Sequence, residues 1–334
     1  MSGEVARLPV VLCWHMHQPD YRGPGGGDYE LPWVYLHALK DYSDMAAHLE
    51  GEPEARAVVN FAPILLEQID DYARQIAAWQ ERGERIRDPL LAALSGPGLP
   101  LDIPSRQALI ASCRRANAQH LIERFPCFSE LIDLADWIDR HRSADAYLSD
   151  QYLADLLVWY HLAWTGEHVR DNDGRIDSLQ KKGRGFDLED RLALLAVIGE
   201  QLASIVPRYR RLAETGRVEL SVTPYAHPII PLLLDIEAAR EALPEADLPA
   251  LVRYPGGEER ARWHIGQGIA CFERHFGFRP VGCWPAEGAV CEDTVRMLED
   301  AGFRWAASGQ RVLHNSLVAS ARGGNLPEHW ITSP

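Results

Sequence analysis

Lysine is nearly missing from this chain. Lys40, Lys181 and Lys182 are the only ones among 334 residues, so almost all positive charge is arginine, which most simply reflects a GC-rich coding bias. Basic residues are also outnumbered, 34 Lys+Arg against 48 Asp+Glu, leaving a formal net charge of −14. With no concentrated basic stretch, this balance argues against a nucleic-acid or anionic-membrane partner and favours a neutral or cationic ligand. Long apolar runs are missing too: none approaches the roughly 18 residues of a membrane span. The amino terminus, MSGEVARLPVVLCW, holds one short apolar run from Leu8 to Trp14 without a small-residue cleavage pattern, so it does not read as a signal peptide. The six cysteines (Cys13, Cys113, Cys127, Cys271, Cys283, Cys291) form no CxxC pair. They suggest reduced, buried thiols in a cytoplasmic protein. A disulfide framework is unnecessary in a chain long enough to bury a large core. Repeats and low-complexity segments are absent, and 46% apolar with 25% charged residues excludes disorder, collagen and coiled coil.

What is present alternates. Short apolar runs at Val10–Trp14, Ala57–Phe61, Val218–Thr223, Val281–Trp284 and Phe303–Ala307 read as buried strands of a parallel sheet. Between them lie segments of helical spacing: Ile64–Trp79, Ser105–Glu123, Ser129–Arg140, Ala154–Ala163, Leu188–Thr215, Glu258–Phe276 and Thr294–Ala301. The class is therefore α/β with right-handed crossovers. Gly277 and Gly302 stand where helices should stop before the next strand. The interval from Phe61 to Val218 is too long for one crossover. It predicts a helical insertion over roughly 85–187 within a single domain spanning 1–334, bounded by Gly96-Pro97-Gly98-Leu99-Pro100 and by a charged loop over Asn172–Gly185.

Three segments carry chemistry. In Cys13-Trp14-His15-Met16-His17-Gln18-Pro19, strand alternation puts His15 and His17 on one side and Trp14 and Met16 on the other, while Pro19 stops the ladder. The two imidazoles are either hydrogen-bonded strand-end residues, ligand contacts, or two members of a metal set that no nearby carboxylate or thiol completes. In Gly216–Pro228, Glu219 interrupts an apolar strand and needs partners or a task. Tyr225 and His227 follow in the loop beyond it, a normal place for ligand contacts. In Gly282-Cys283-Trp284-Pro285-Ala286-Glu287-Gly288, a buried strand ends at Trp284 and is broken by Pro285, with Glu287 in the turn before a helix starting near Cys291. An indole platform beside a carboxylate is what a sugar site needs: an apolar face for the ring and an oxygen nucleophile for the anomeric carbon.

In order, His15-Met16-His17-Gln18-Pro19, then Gly216–Glu219 with Thr223–Pro228, then Trp284-Pro285-Ala286-Glu287-Gly288 resemble the first three signature regions of glycoside hydrolase family 57. That family contains α-amylases, 4-α-glucanotransferases, amylopullulanases and branching enzymes. The stretches Asn60–Gln68 and Asp155–Trp159 also resemble it. The resemblance implies a TIM-barrel-like (β/α)7 barrel and retaining hydrolysis or transfer on α-glucans such as starch, glycogen or maltodextrin, without cofactor or metal. It implies that Glu287 is the nucleophile, and that His15, His17, Glu219, His227 and Trp284 line the sugar site, with Tyr225 beside them.

The pattern departs from the family at one place. The family's acid/base aspartate lies in a fourth region on a strand after the one read at Phe303–Ala307, whereas this chain ends at His329–Pro334 with five strands visible instead of seven. The expectation is an incomplete barrel, the amino-terminal portion of a longer enzyme, with its acid/base outside these residues and an open edge that favours self-association. Asp235 and Glu237 are formal substitutes, but read better as the solvated start of a helix around Glu237–Ala242. Two other readings stay open: a non-catalytic α-glucan-binding remnant, and a metal-dependent hydrolase of the polysaccharide-deacetylase kind, whose barrel is related and whose metal sites use Asp and His.

Overall fold

The computed structural model describes residues 10–141, 148–250 and 253–319, without the side chains of 242 and 315–319. The expectations drawn from Leu8 and from His329–Pro334 lie outside the described residues. The chain separates into two compact units, one comprising Met1–His17, Arg56–Leu66 and Ala213–Pro334, the other Gln18–Ala55 and Glu67–Leu212.

The first unit contains a five-stranded parallel sheet in the order β1 (Cys13–Met16), β2 (Ala57–Phe61), β3 (Val218–Val222), β4 (Gly282–Cys283), β5 (Trp305–Ala306). All five strands fall within or overlap the apolar runs, and the α/β parallel class holds, but the expected burial of the fifth fails, since Trp305 is half-buried and Ala306 exposed. The outer layer of the middle strands is closed: Val59, Phe61, Val218, Leu220, Val222 and Cys283 are buried, and Phe61 meets Phe276 of the helix Gly257–Phe276 at 5.3 Å. That helix ends at Gly277 with φ 80°, a left-handed stop that glycine adopts without cost.

One boundary shifts. The first strand runs Cys13–Met16 rather than Val10–Trp14, and Val10, Val11 and Leu12 are exposed at 75%, 72% and 54%. Among the described residues β1 ends the strand order and pairs with β2 alone. The expected burial of Cys13 fails with it, since that thiol is exposed, while Cys113, Cys271 and Cys283 are buried and all six cysteines are free.

The second unit is helical in its described residues. Most of Leu188–Glu214 belongs to it. By length and composition this helix could cross a membrane, yet its Leu194, Leu195, Val197, Ile198, Leu202 and Ile205 are buried in the protein and Arg208 pairs with Glu50 at 2.9 and 2.7 Å. Those are the features of a core helix. Two expectations are corrected here. The stretch Ser105–Glu123 is not one helix: Ile103–Cys113 ends, and a π-helical turn, Ala118–Ile122, follows behind an Asn117 cap. The loop expected over Asn172–Gly185 contains the helix Gly174–Lys182, started by the Asp173 side chain accepting from Arg175 N and stopped by Gly183 at φ 73°. Its charge pattern resembles a loop, but capping at both ends settles the helix. Helices at Trp33–His37, Ser43–Gly51 and Pro89–Ser95 were not read from the sequence.

Candidate functional site

Register stacks the inner face of the sheet in rows. Cys13, Val58 and Glu219 form one row and His15, Asn60 and Ser221 the next toward the carboxyl ends. The second row is a hydrogen-bonded chain: His15 Nδ1 lies 2.7 Å from Asn60 Oδ1, Thr223 Oγ1 donates to the same oxygen at 2.8 Å, and Asn60 Nδ2 donates to Ser221 Oγ at 3.1 Å. An amide oxygen only accepts, so His15 carries its proton on Nδ1 and keeps the Nε2 lone pair for other partners. Asn60, Ser221 and Thr223 are fully buried. Sequence reasoning missed their role; the one signal was a polar residue inside the otherwise apolar Ala57–Phe61.

Beyond the strand ends, two turns bring in the remaining groups. After β3, Ala226 and His227 adopt φ 58° and 57°, a left-handed conformation unfavourable for residues with a Cβ. The helix Gly257–Phe276 holds this turn: Tyr225 N donates to His264 O at 2.9 Å and His264 Nδ1 donates to Tyr225 O at 2.5 Å. Gly268 lets the helix approach, since a Cβ there would stand 3.0 Å from Thr223 O. After β4, Glu287 is itself left-handed at φ 56° within the single turn Ala286–Gly288. Ser308 Oγ donates to Gly288 O at 2.9 Å and ties that turn to the segment after β5.

These turns converge on β1. His15 stacks on Trp284 with ring centres 4.8 Å apart, and His17 stacks on His227 at 3.9 Å. His227 Nε2 lies 3.4 Å from Glu287 Oε1, while its Nδ1 is buried without a hydrogen-bond partner among the described residues. One ring nitrogen from each of His15, His17 and His227 lies within 4.8 Å of the other two. A cavity of about 600 Å³ opens here, lined by Cys13, His15, His17, Trp284, Glu287, Gly288 and the segment Ala307–Gly309. The Glu287 side chain is 71% exposed, so it remains reachable by a ligand.

Burial lowers the pKa of all three imidazoles. For His17, the nearby His227 and His15 add to burial and bring it to about 4. For His15, the Asn60 hydrogen bond and the Glu287 charge partly oppose burial. For His227, burial and His15 act against Glu287. The lowering favours the neutral ring at all three positions, each with one lone pair for a hydroxyl or a metal; the N–H of His15 is already taken by Asn60.

Of the residues expected from sequence, His15, His17, His227, Trp284 and Glu287 come together. Glu219 sits in the lower row, exposed, accepting from Trp305 Nε1 at 2.6 Å. Gly282 makes room for that indole, which a Cβ would meet at 2.0 Å. Tyr225 packs edge-on against Trp263 at 5.6 Å. Asp235 caps the turn ahead of the helix Ala239–Ala242 by accepting from Glu237 N, and Glu237 pairs with Arg240 at 2.9 Å, as their reading as a solvated helix start expected. His264 was not legible, because its partner is a backbone 39 residues away.

The fold and the site together define an α/β protein whose parallel sheet carries imidazoles, an indole and a carboxylate at its carboxyl ends. The sequence pattern of glycosyl hydrolase family 57 matches residues 11–328, and the chain belongs to that family. Among solved structures, the alpha-amylase AmyC from Thermotoga maritima is 13% identical, with 89% of this chain and 38% of that chain covered at a TM-score of 0.41. The GH57 branching enzyme TK1436 from Thermococcus kodakaraensis is 17% identical, with 89% and 38% covered at 0.41. The GH57-type branching enzyme from Pyrococcus horikoshii is 16% identical, with 89% and 41% covered at 0.38. The chain thus spans about two-fifths of the length of these structures. No curated protein matches it.

Proposed function

We propose that this chain is the nucleophile-bearing part of a retaining glycoside hydrolase or glucanotransferase acting on α-glucans. The observation that carries the reading is Glu287, held on a left-handed turn at the rim of a 600 Å³ cavity beside Trp284. In this reading the indole takes the apolar face of a glucose unit, and His15, His17 and His227 exchange hydrogen bonds with its hydroxyls. Glu287 attacks the anomeric carbon; the bond to the leaving oxygen breaks as the glycosyl–carboxylate bond forms. Water or an acceptor sugar then releases the intermediate. A retaining pair needs a second carboxyl about 5–5.5 Å away to protonate the leaving oxygen, an aspartate supplied from outside these residues.

The same reading takes the five strands as part of an incomplete (β/α)7 barrel in one catalytic domain, 1–334, with the helices of 85–187 inserted. Glu219 and Tyr225 belong to its wider sugar-binding surface. Free cysteines support a reducing, cytoplasmic setting, and the exposed run Val10–Leu12 supports self-association.

An α-maltosyl fluoride tests it, because fluoride leaves with little protonation. Intact-mass measurement on the folded chain is expected to show a sugar-sized adduct that is lost in Glu287→Gln. An unmodified parent chain after prolonged incubation overturns the nucleophile assignment and favours a sugar-binding remnant.

A further inference from the structure

We propose that His15, His17 and His227 form a binding site for a transition-metal ion of the zinc type, whose occupation competes with sugar for the same imidazoles. Three observations carry it. One nitrogen of each ring lies within 4.8 Å of the other two, so side-chain rotation that also opens the His17–His227 stack brings them to the roughly 2.0–2.1 Å bonds that zinc makes with imidazole. One of the three is already oriented as metal-binding histidines are: Asn60 Oδ1 accepts the His15 Nδ1 proton at 2.7 Å, is itself fixed by Thr223, and leaves Nε2 as the donor atom. Finally, His227 Nδ1 is buried with no partner among the described residues. A lone pair left in this state is uncommon in a folded protein, and a metal would satisfy it.

Three ring nitrogens, two of them on side chains that line the cavity, leave a fourth position for water, while the Glu287 carboxylate stays on the Nε2 side of His227 at 3.4 Å. An imidazole binds a metal in its own ring plane, so loading opens the 3.9 Å stack of His17 on His227. The loaded rings no longer face a sugar. The site therefore acts as a metal-sensitive block rather than as a source of metal-activated water. The metal inference stands on the histidine geometry alone, and its competitive role rests on the sugar-site reading above.

The test uses zinc ions alone, without sugar, on the full chain stripped by chelator. Competition with a chromophoric chelator is expected to give one zinc per chain. Affinity should fall at least about tenfold in each of His15→Asn, His17→Asn and His227→Asn, and about tenfold in Asn60→Ala through loss of orientation. The exposed His120→Asn control should bind like the parent. Cobalt substitution supplies a second readout, a visible d–d absorption present in the parent and His120→Asn and lost in His17→Asn, with thermal melts confirming that each variant is folded. Failure to bind one equivalent, or binding unchanged in the three variants, overturns the site. Because no sugar is present, this failure is distinct from a missing adduct with α-maltosyl fluoride. A chain that binds zinc but labels equally well with and without it overturns the competition alone.

Discussion

His161 in the helical unit and the cluster of His15, His17 and His227 at the strand ends are all lowered in pKa by burial, yet they differ in what their ring nitrogens touch. His161, on the helix Asp150–Ala163, is wholly buried, and burial lowers its pKa to about 4. His17 is also lowered to about 4, by burial and by neighbouring imidazoles. The difference lies in their hydrogen bonds. His161 Nδ1 donates to Leu157 O at 2.8 Å and its Nε2 accepts from Tyr35 OH at 2.9 Å, so nothing is left over. In the cluster of His15, His17 and His227, by contrast, His15 and His17 line a cavity, and His227 Nδ1 has no partner among the described residues. A depressed histidine pKa therefore identifies a desolvated ring, and the unused lone pair identifies a site.

The largest expected change is in His161→Leu, which leaves the Tyr35 hydroxyl without its acceptor in a packed core. It should destabilise the fold by about 2–3 kcal/mol in denaturant melts without altering zinc binding or adduct formation. If zinc binding falls with it, the two sets are coupled and the contrast fails.

The pH dependence sharpens the same point. His161 is harder to protonate in the folded chain, about 4 against 6.5 for the free group, so between these values the unfolded state binds more protons. Stability from this group is then complete above about pH 6.5 and is lost as pH falls toward 4, amounting to about 3 kcal/mol. Denaturant titrations across this window should show that slope in the parent and a flatter one in His161→Leu. An identical slope in both would mean that another group controls acid unfolding.

Asn60→Ala comes next, because it removes the shared acceptor of His15 and Thr223 and leaves Ser221 without its donor. A loss of about 1–2 kcal/mol is expected, together with loss of the adduct at Glu287 if the row positions the site. The smallest effect belongs to His227→Asn, where asparagine tolerates the left-handed backbone. Stability should stay within about 0.5 kcal/mol of the parent while adduct formation drops. A large loss of stability there would make His227 a structural residue like His161.

Much of this was legible beforehand for a physical reason. Five short apolar runs marked the strands, and the three middle ones are largely buried, as strands covered on both faces that have lost their alternation should be. The i, i+2 spacing placed His15 and His17 on one side, and Trp284-Pro285-Ala286-Glu287 put a carboxylate in a turn. The exposed Val10–Leu12 and the helix Gly174–Lys182 were misread because an apolar run does not reveal whether anything covers it, and a charged segment does not show its caps.

By itself the sequence determined which residue types could meet at the strand ends, since period and turn chemistry are local. The tertiary structure decided their partners. That His15 is held by Asn60, that His227 reaches Glu287 while Glu219 turns to Trp305, and that His264 anchors the turn presenting His227 all depend on segments 39 to 86 residues apart or on parallel register. Neither can be read from neighbouring side chains, because a hydrogen bond between distant strands is set by how the sheet pairs and not by the order of the chain.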